Sequence, residues 1–431
     1  MEKEAFHKLA ELFRPRLEVN AHFGALRTAN GTISGFCPDS TSRRNPDPFC
    51  SRGAASKGVI RCLFSDIDGT LVHYYEDEAA APGPPDVIPL PASATGRKAR
   101  ISVETLKLAA KVRASGARLV LVSGTRYSTF VNRLPFLPRA DAYVIENGGR
   151  IFYPKEDATA TAAAAAGQSA PLGVAPTEKG GGRGGGGGGV KEGGEGVGGT
   201  KESAIGDPSL TAHAASALTE DLKWRETMES ATGPASQDEK APEDREGPLW
   251  DLYRKAVSEG FEVDTNTYYT MIRIKVKTGG RNGNKKRSRE EEEAAGADGG
   301  NAGEQVVQEE QEKGGQEAMK KMLDSLPPSL RVVTNFGLVD ICPDGSGKHN
   351  AAAYLAREHF GVPLADCASM GDDDNDIALA KTMGRGAFIT TFSSDSVEAA
   401  AKANPEQFSV AKAEGVLASE EMLTLILAAC S

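Results

Sequence analysis

The stretch Leu63-Phe64-Ser65-Asp66-Ile67-Asp68-Gly69-Thr70-Leu71 sets two carboxylates two residues apart, where an apolar run gives way to a glycine turn. Residues 59–64 are apolar or β-branched apart from Arg61, which predicts a short buried strand of a parallel sheet. Asp66 then lies at the carboxyl end of that strand, where open α/β sheets bind their ligands. Two acids this close repel each other unless a cation, a shared proton or full solvation relieves them. Mg²⁺ suits the position, because it takes oxygen ligands and keeps places for water and a phosphate.

Three later segments carry further polar groups at the ends of predicted strands or helices. The apolar run 120–122 ends in Ser123-Gly124, where a hydroxyl can hold a phosphate oxygen. Lys348 opens an alanine-rich helical stretch, although a lysine in a first turn opposes the helix dipole. Residues 368–376 place four carboxylates within five positions directly after a short apolar strand. Each motif taken singly has an ordinary explanation. The Asp66 motif could be an exposed Asp-rich turn, and the three later segments could be a helix cap, a solvated lysine and an acidic loop.

The order of the four segments is more specific than any one of them. Asp-x-Asp-Gly-Thr, strand-Ser-Gly, Lys and then Gly-Asp-x-x-Asn-Asp resembles the haloacid dehalogenase superfamily of phosphotransferases. The passage Ile145-Glu146-Asn147-Gly148-Gly149-Arg150-Ile151-Phe152-Tyr153-Pro154 resembles the class IIB members with a large cap. These include Cof-type proteins and the sucrose-phosphate and mannosyl-phosphoglycerate phosphatases. Strand-Asn-Gly-Gly is also an ordinary turn signal.

The resemblance implies a catalytic set of four residues. Asp66 is the implied nucleophile that forms an aspartyl phosphate, because a covalent intermediate divides one hard step into two. Asp68 is the implied general acid for the leaving alkoxide and then the general base for the hydrolytic water. Ser123 and Gly124 are implied to bind the transferring phosphoryl group. Lys348 is implied to neutralise the charge that this group shares with Asp66.

The same resemblance implies a magnesium site. Its ligands are the carboxylate of Asp66, the backbone carbonyl of Asp68 and the side chain of Asp372, with Asp376 bound directly or through water. Asn375 is implied to contact the phosphate or the nucleophile. Thr70 is expected to support the turn that aims Asp68.

Alternating strands and helices predict an α/β core, a Rossmann-like, doubly wound parallel sheet. We assign this core to residues 58–150 and 344–431, with an extension at 1–57 and an inserted α/β cap domain at 151–343. The predicted core strands are 58–64, 117–122, 142–146, 367–370 and 386–390, and the predicted core helices lie near 103–115, 126–133, 348–359, 375–382, 394–403 and 418–429.

The insertion contains a helix at 250–260, an alternating strand from Met271, a helix at 317–326 and strands at 330–334 and 337–341. This pattern predicts one small sheet with helices, and it resembles the larger cap class, which covers the site and sets the substrate. Arg273, Lys275 and Lys277 are candidates to meet an anionic substrate. We favour the interpretation that they form the solvent face of the strand.

Low-complexity segments interrupt the cap at about 158–248 and 279–316, where glycine, alanine and charge runs cannot bury enough surface to fold. The basic cluster 285–289 is typical of a nuclear signal or nucleic-acid patch, but we interpret it as part of a solvated loop. The extension 1–57 is expected to be partly disordered. Part of it resembles an organelle transit segment, yet Glu2, Glu4 and Glu11 argue against one. We therefore expect the cytoplasm, with a plastid as the alternative.

Composition agrees with a soluble enzyme. At 431 residues the chain has room for two domains, its net charge of −10 argues against nucleic-acid binding, and no apolar run is long enough to span a membrane. The six cysteines show no paired metal spacing. The sequence leaves the oligomeric state open.

These observations predict a magnesium-dependent phosphatase of a small phosphorylated metabolite, a sugar phosphate being favoured. A phosphomutase similar to phosphomannomutases is the first alternative, although mutases have a longer glycine-bearing acidic loop than residues 371–376. A binding protein on a decayed phosphatase scaffold is the second. The retained Asp66, Asp68, Lys348 and Asp372 argue against decay.

Overall fold

The structure of the protein is a computed structural model, which describes residues 58–75, 86–93, 96–155, 212, 214–275, 314–315, 317–335 and 338–430. The predictions for residues 1–57, for the basic cluster and for most of the low-complexity segments lie outside these residues.

The strands are β1 Cys62–Ser65, β2 His73–Tyr74, β3 Val87–Leu90, β4 Ala99–Ser102, β5 Arg118–Val122, β6 Ala142–Ile145, β7 Arg150–Pro154, β8 Leu218–Glu220, β9 Glu262–Asp264, β10 Ile272–Lys275, β11 Leu330–Asn335, β12 Leu338–Pro343, β13 Cys367–Gly371, β14 Ala387–Ile389 and β15 Phe408–Val410. The helices are α1 Val103–Ala114, α2 Tyr127–Arg133, α3 Leu222–Glu226, α4 Glu229–Thr232, α5 Pro248–Ser258, α6 317–324, α7 Lys348–Tyr354, α8 Asp374–Thr382, α9 Asp395–Ala403 and α10 Val416–Ala429.

The core is an eight-stranded sheet in the order β15-β14-β13-β1-β5-β6-β7-β8. Its strands from β15 to β6 are all parallel, with β1 between β13 and β5. Hydrophobic clusters cover both faces, because neighbouring residues of one strand point to opposite sides. Leu63 packs in the cluster that contains α1 and α10, and Phe64 in the one that contains α7. The predicted doubly wound α/β core is therefore confirmed.

The sheet extends further along the chain than the sequence indicated. β7 pairs antiparallel with β6, and β8 pairs antiparallel with β7, so residues 150–154 and 218–220 add two strands to the core. The insertion predicted to begin at residue 151 therefore begins too early. Its first low-complexity segment, predicted at about 158–248, is likewise too long. The physical reason is that β8 completes the hydrogen bonds of β7 across an intervening stretch of about 60 residues, which a local pattern cannot reveal.

A second, four-stranded antiparallel sheet has the order β11-β12-β10-β9. Helix α5 begins at Pro248, directly after Gly247, and buries Leu249, Trp250 and Leu252 in the cluster that also contains strands β10 to β12. This sheet and its helices occupy the insertion that was predicted to be a cap, and we refer to them as the cap. The predicted cap strands and helices are present within two residues at most ends, while β9 was not predicted.

A third sheet, β2-β4-β3, has three short strands directly after the Asp66–Thr70 turn. It was not predicted, because strands of two to four residues leave almost no periodic signal. No helix in the described ranges is both long and apolar enough to cross a bilayer.

Candidate active site

The first site motif leaves the sheet where β1 ends. The Asp66 N–H donates to the Met370 carbonyl at 2.8 Å, so the carboxyl ends of the neighbouring strands β1 and β13 stay paired. Gly69 then turns with φ 87°, and a Cβ there would lie 2.1 Å from Asp372 Oδ2. Only glycine allows this turn to approach the second acidic loop so closely. Thr70 Oγ1 donates to Asp372 Oδ1 at 2.8 Å, so Thr70 supports Asp372 as well as the turn.

Three carboxylates meet at this edge of the sheet. Asp66, Asp372 and Asp376 are buried, and each offers an oxygen that lies within 4.8 Å of those of the other two. Asp376 Oδ2 accepts from the backbone N–H groups of Asp372 and Asp373 at 3.3 and 3.4 Å. These bonds tie the start of α8 to the end of β13. A set of hard oxygen donors at this spacing fits a divalent cation such as Mg²⁺.

Lys348 is the cation that faces the three acids. Its Nζ donates to Asp66 Oδ1 at 2.6 Å and to Asp376 Oδ1 at 2.7 Å, and its side chain is 1% exposed. The lysine begins α7 against the helix dipole, as the sequence showed, and these two contacts explain its position. The two hydrogen bonds hold the carboxylates of Asp66 and Asp376 at the same ammonium group, although these residues lie in different halves of the core.

Burial and mutual repulsion disturb the protonation of the cluster. Burial, followed by repulsion from Asp376, raises the pKa of Asp372 to about 8. Burial also raises the pKa of Asp66, although Lys348 acts in the opposite direction. The pKa of Lys348 is raised by its two carboxylate partners despite its own burial. Deprotonation of all three acids would therefore create excess negative charge, which a bound cation or a proton can relieve.

This excess charge predicts how stability depends on pH. Between about pH 4 and 8, folded Asp372 binds a proton that the unfolded chain has released, so the free energy of unfolding falls as pH rises through that range. We expect a slope of about 1.4 kcal/mol per pH unit in EDTA for this one proton. Denaturant melts at several pH values measure it.

The matched variant for that measurement is Asp372→Asn, which should remove the part of the slope that Asp372 contributes. Excess Mg²⁺ should flatten it in the intact chain, because a cation replaces the proton. A metal-free stability that stays level or rises over the range contradicts this account of the cluster.

Asp68 has partners of its own, and its carboxylate lies outside the group of three acids. Its Oδ1 accepts from Arg133 Nη1 at 2.6 Å and from Tyr74 Oη at 2.6 Å. Its Oδ2 lies 3.4 Å from Ser123 Oγ. The structure thus brings Asp68 and Ser123 together.

Ser123 follows β5 directly and is 2% exposed. Its Oγ accepts from the Thr125 N–H at 3.0 Å, which fixes the turn through Gly124. One pocket is lined by Asp66, Asp68, Ser123, Gly124, Lys348 and Asn375, so the predicted catalytic and phosphate-binding residues share one space.

Asn375 also lines this pocket, but its amide Nδ2 donates to Asn147 Oδ1 at 3.2 Å. Its own Oδ1 is buried and has no hydrogen-bond partner in the described part of the chain. Asn147 Nδ2 donates in turn to Asp340 Oδ2 at 2.9 Å, which belongs to the cap strand β12. Asn375 therefore joins the pocket to the cap.

Arg273 lines the same pocket, contrary to the favoured solvent-face interpretation. Its guanidinium makes a bidentate ion pair with buried Asp340, at 2.6 and 2.8 Å, and its side chain is 15% exposed. The alternation was read correctly, but Arg273 faces the pocket and not solvent. Lys275 has no described side chain, and Lys277 lies outside the described residues.

The loop between β9 and β10, residues 265–271, which we call the cap loop, rests on the core. Arg126 pairs with Asp264 at 2.5 Å and donates to the Asn266 carbonyl at 3.1 Å. Buried Glu146 Oε2 accepts from the N–H groups of Tyr269 and Thr270 and from the Thr270 hydroxyl, at 2.7 to 2.9 Å. The cap loop therefore contacts the core, and Tyr268 of this loop lines the pocket.

Sequence reasoning did not single out Arg126, Glu146, Arg133 or Tyr74 as site residues. The sequence did contain a signal for Glu146, because this charged residue directly follows an apolar strand. Arg133 carried another, since it lies three residues after Phe130 on the buried side of α2. Tyr74 carried none.

Comparison with known proteins agrees with this geometry. Residues 251–417 match the family of haloacid dehalogenase-like hydrolases. The matched stretch contains Lys348, Asp372 and Asp376, and its strand β13 pairs with β1, which leads into Asp66. This match over residues 251–417 bears out the resemblance to haloacid dehalogenase-like hydrolases and the enzyme predicted from the four motifs.

Solved structures of similar fold include the sucrose-phosphatase of Synechocystis sp. PCC6803, determined with sucrose and phosphate, at 14% identity and TM-score 0.43 over 85% of this chain and 98% of that one. A haloalkanoate-superfamily protein from Bacteroides thetaiotaomicron is 13% identical at TM-score 0.37 over 87% and 99%. A haloacid dehalogenase-like protein from Bacillus subtilis is 10% identical at TM-score 0.39 over 86% and 93%. No curated relative matches the sequence.

Proposed function

We propose that the protein is a Mg²⁺-dependent phosphatase that hydrolyses a small phosphorylated metabolite through a phosphorylated Asp66. The observation that carries the proposal is the pairing of Asp66 with Lys348 at 2.6 Å beside a group of three buried carboxylates, in a pocket that Ser123 also lines. A carboxylate nucleophile, a fixed cation and a phosphate-binding hydroxyl are the groups that phosphoryl transfer needs.

Asp66, Asp372 and Asp376 would hold the metal ion. Their oxygen donors and their unrelieved negative charge fit Mg²⁺, which when bound supplies a Lewis acid for the phosphoryl oxygens. The carboxylate of Asp68 lies outside this group, so its part in the metal site is limited to the backbone carbonyl expected from the sequence.

In the first step, a carboxylate oxygen of Asp66 attacks phosphorus while the bond from phosphorus to the leaving oxygen breaks. The electron pair of that bond stays on the leaving oxygen, which takes a proton from Asp68. Ser123 and the Gly124 backbone hold the phosphoryl oxygens, and Lys348 holds Asp66 in line.

In the second step, water attacks the phosphorus of the aspartyl phosphate and gives a proton to Asp68. The bond from phosphorus to Asp66 breaks, its electron pair returns to the carboxylate, and phosphate leaves. Asp68 ends protonated, as it began, so both steps use one acid-base group.

We favour a small polar substrate, because of the side chains that the cap adds to the pocket. Arg126, Tyr268 and Arg273 line the same pocket as the predicted phosphate-binding residues, and Tyr268 belongs to the cap loop. We assign these three side chains to the end of the pocket that meets the rest of the substrate. Both arginines are neutralised by Asp264 and Asp340, so this end of the pocket favours hydroxyl groups over a second full charge. A sugar phosphate meets these conditions.

The test is release of inorganic phosphate from a panel of sugar phosphates and phosphoglycerates, with Mg²⁺ and with EDTA. We expect release with Mg²⁺ only and a preference for a sugar phosphate. Interconversion of sugar-phosphate isomers without release would identify a mutase. Absence of both phosphate release and isomer interconversion would favour a binding protein without catalytic activity.

The proposal also covers the cellular compartment and the partners of the enzyme. We place it in the cytoplasm, with a plastid as the alternative, and expect small phosphorylated substrates and no nucleic acid as partners. Fractionation of cells that express the tagged full chain tests the compartment.

A further inference from the structure

We propose that Arg133 and Tyr74 are positioning residues that fix the Asp68 carboxylate, so that only Oδ2 exchanges a proton with the substrate. The inference rests on the proposed function, because it assigns a task to the partners of the acid-base group. Neither residue belongs to the four motifs, and Arg133 does not line the pocket.

Both contacts converge on a single oxygen. Arg133 Nη1 and Tyr74 Oη each lie 2.6 Å from Asp68 Oδ1, and they lie 3.1 Å from each other. The three groups form a closed triangle, which leaves Oδ1 saturated by two strong donors. Oδ2 remains on the side of Ser123, at 3.4 Å from its hydroxyl.

The surroundings keep this triangle rigid. The Arg133 side chain is 2% exposed, and its Nε donates to the Pro91 carbonyl at 3.2 Å. Tyr74 lies on β2, which pairs with β4, and the Arg97 guanidinium lies 4.0 Å from the centre of its ring. One donor therefore comes from helix α2 and the other from the small sheet β2-β4-β3. Asp68 is held from two separate elements, and rotation of its carboxylate would break both contacts.

This arrangement matters only when a proton must be delivered. A poor leaving group such as the alkoxide of a sugar needs the proton as its bond to phosphorus breaks, so a misplaced Oδ2 slows that step. A good leaving group such as p-nitrophenolate departs without it. A contact that merely stabilises the fold would affect both substrates equally.

The experiment compares kcat/KM for the best sugar phosphate and for p-nitrophenyl phosphate, since this ratio reports the step in which the leaving group departs. For Arg133→Met we expect about a 100-fold fall with the sugar phosphate and less than about a 5-fold fall with p-nitrophenyl phosphate. The fall should lie in kcat, with KM nearly unchanged. Arg133→Lys keeps a positively charged donor group near Asp68, so this variant should recover part of the lost activity.

Tyr74→Phe is the second variant, because it removes one hydroxyl and leaves the buried charge pair in place. We expect about a 10-fold fall confined to the sugar phosphate. Arg113→Met is the matched control, since Arg113 makes its ion pair with Asp141 outside the pocket and should alter neither rate.

Equal losses for both substrates, or no loss in either variant, would overturn the inference while leaving the phosphatase in place. Absence of release from the intact protein with both substrates would overturn the proposed function and the inference with it.

Discussion

Replacing Asp66 with asparagine is expected to abolish phosphate release, by on the order of 10⁵-fold, because the amide cannot form the covalent intermediate. The change keeps the shape of the side chain and removes one charge from a group of three buried acids. The variant should therefore fold at least as stably as the intact protein. Phosphate release under saturating Mg²⁺, with a denaturant melt of both proteins, measures the two effects.

Acid-quenched samples of the intact protein provide an independent measurement. During turnover they should contain a phosphorylated peptide that includes Asp66, and the variant should yield none. Asp366→Asn is the matched control, since Asp366 precedes β13 at the opposite end of the strand and pairs with Arg385. Release by Asp66→Asn at the rate of that control would exclude Asp66 as the nucleophile.

Lys348→Met has the second large expected effect, because it removes the cation shared by Asp66 and Asp376 and preserves most of the volume. Breaking a buried ion pair leaves uncompensated charge, for which a loss of about 3 to 5 kcal/mol in the free energy of unfolding is expected. Phosphate release should fall about 10² to 10³-fold, since an electrostatic contact to the reacting group is lost. Denaturant melts at pH 7 in EDTA and initial rates with Mg²⁺ measure both.

Part of the lost stability should return at lower pH, where the acids bind protons, and with Mg²⁺, which replaces the missing cation. Lys402→Met is the matched control, because the Lys402 side chain is 72% exposed and pairs with Glu398 on its own helix. Its expected effect is within about 0.5 kcal/mol. A Lys348 variant as stable and active as this control would refute the arrangement of the site.

The sequence predicted the parts of the molecule that a local pattern encodes. The strands that precede Asp66, Ser123 and Asp372 were located because buried parallel strands are continuous apolar runs, and the polar residues after them mark the ligand-binding edge. Local patterns did not reveal contacts between distant segments. β8 was missed because a three-residue strand signals nothing until β7 lies beside it.

The same limit explains the errors about side-chain surroundings. Arg273 was assigned to solvent because alternation shows which residues share a face but not what that face meets. Arg133 and Tyr74 were missed because they meet at Asp68 from a helix and from a separate small sheet. Lys348 was recognised only through the order of the motifs, since its two acid partners lie 282 and 28 residues away along the chain.

The place of β1 between β13 and β5 has a consequence for synthesis on the ribosome. β5 follows soon after β1, but β13 begins only at residue 367, after the whole cap has been made. Until then one edge of β1 has no strand to bind, and an open edge invites pairing with other chains. The nascent chain therefore carries an aggregation hazard through most of its elongation. Closing a loop of this length also favours slow, late assembly of the acid cluster.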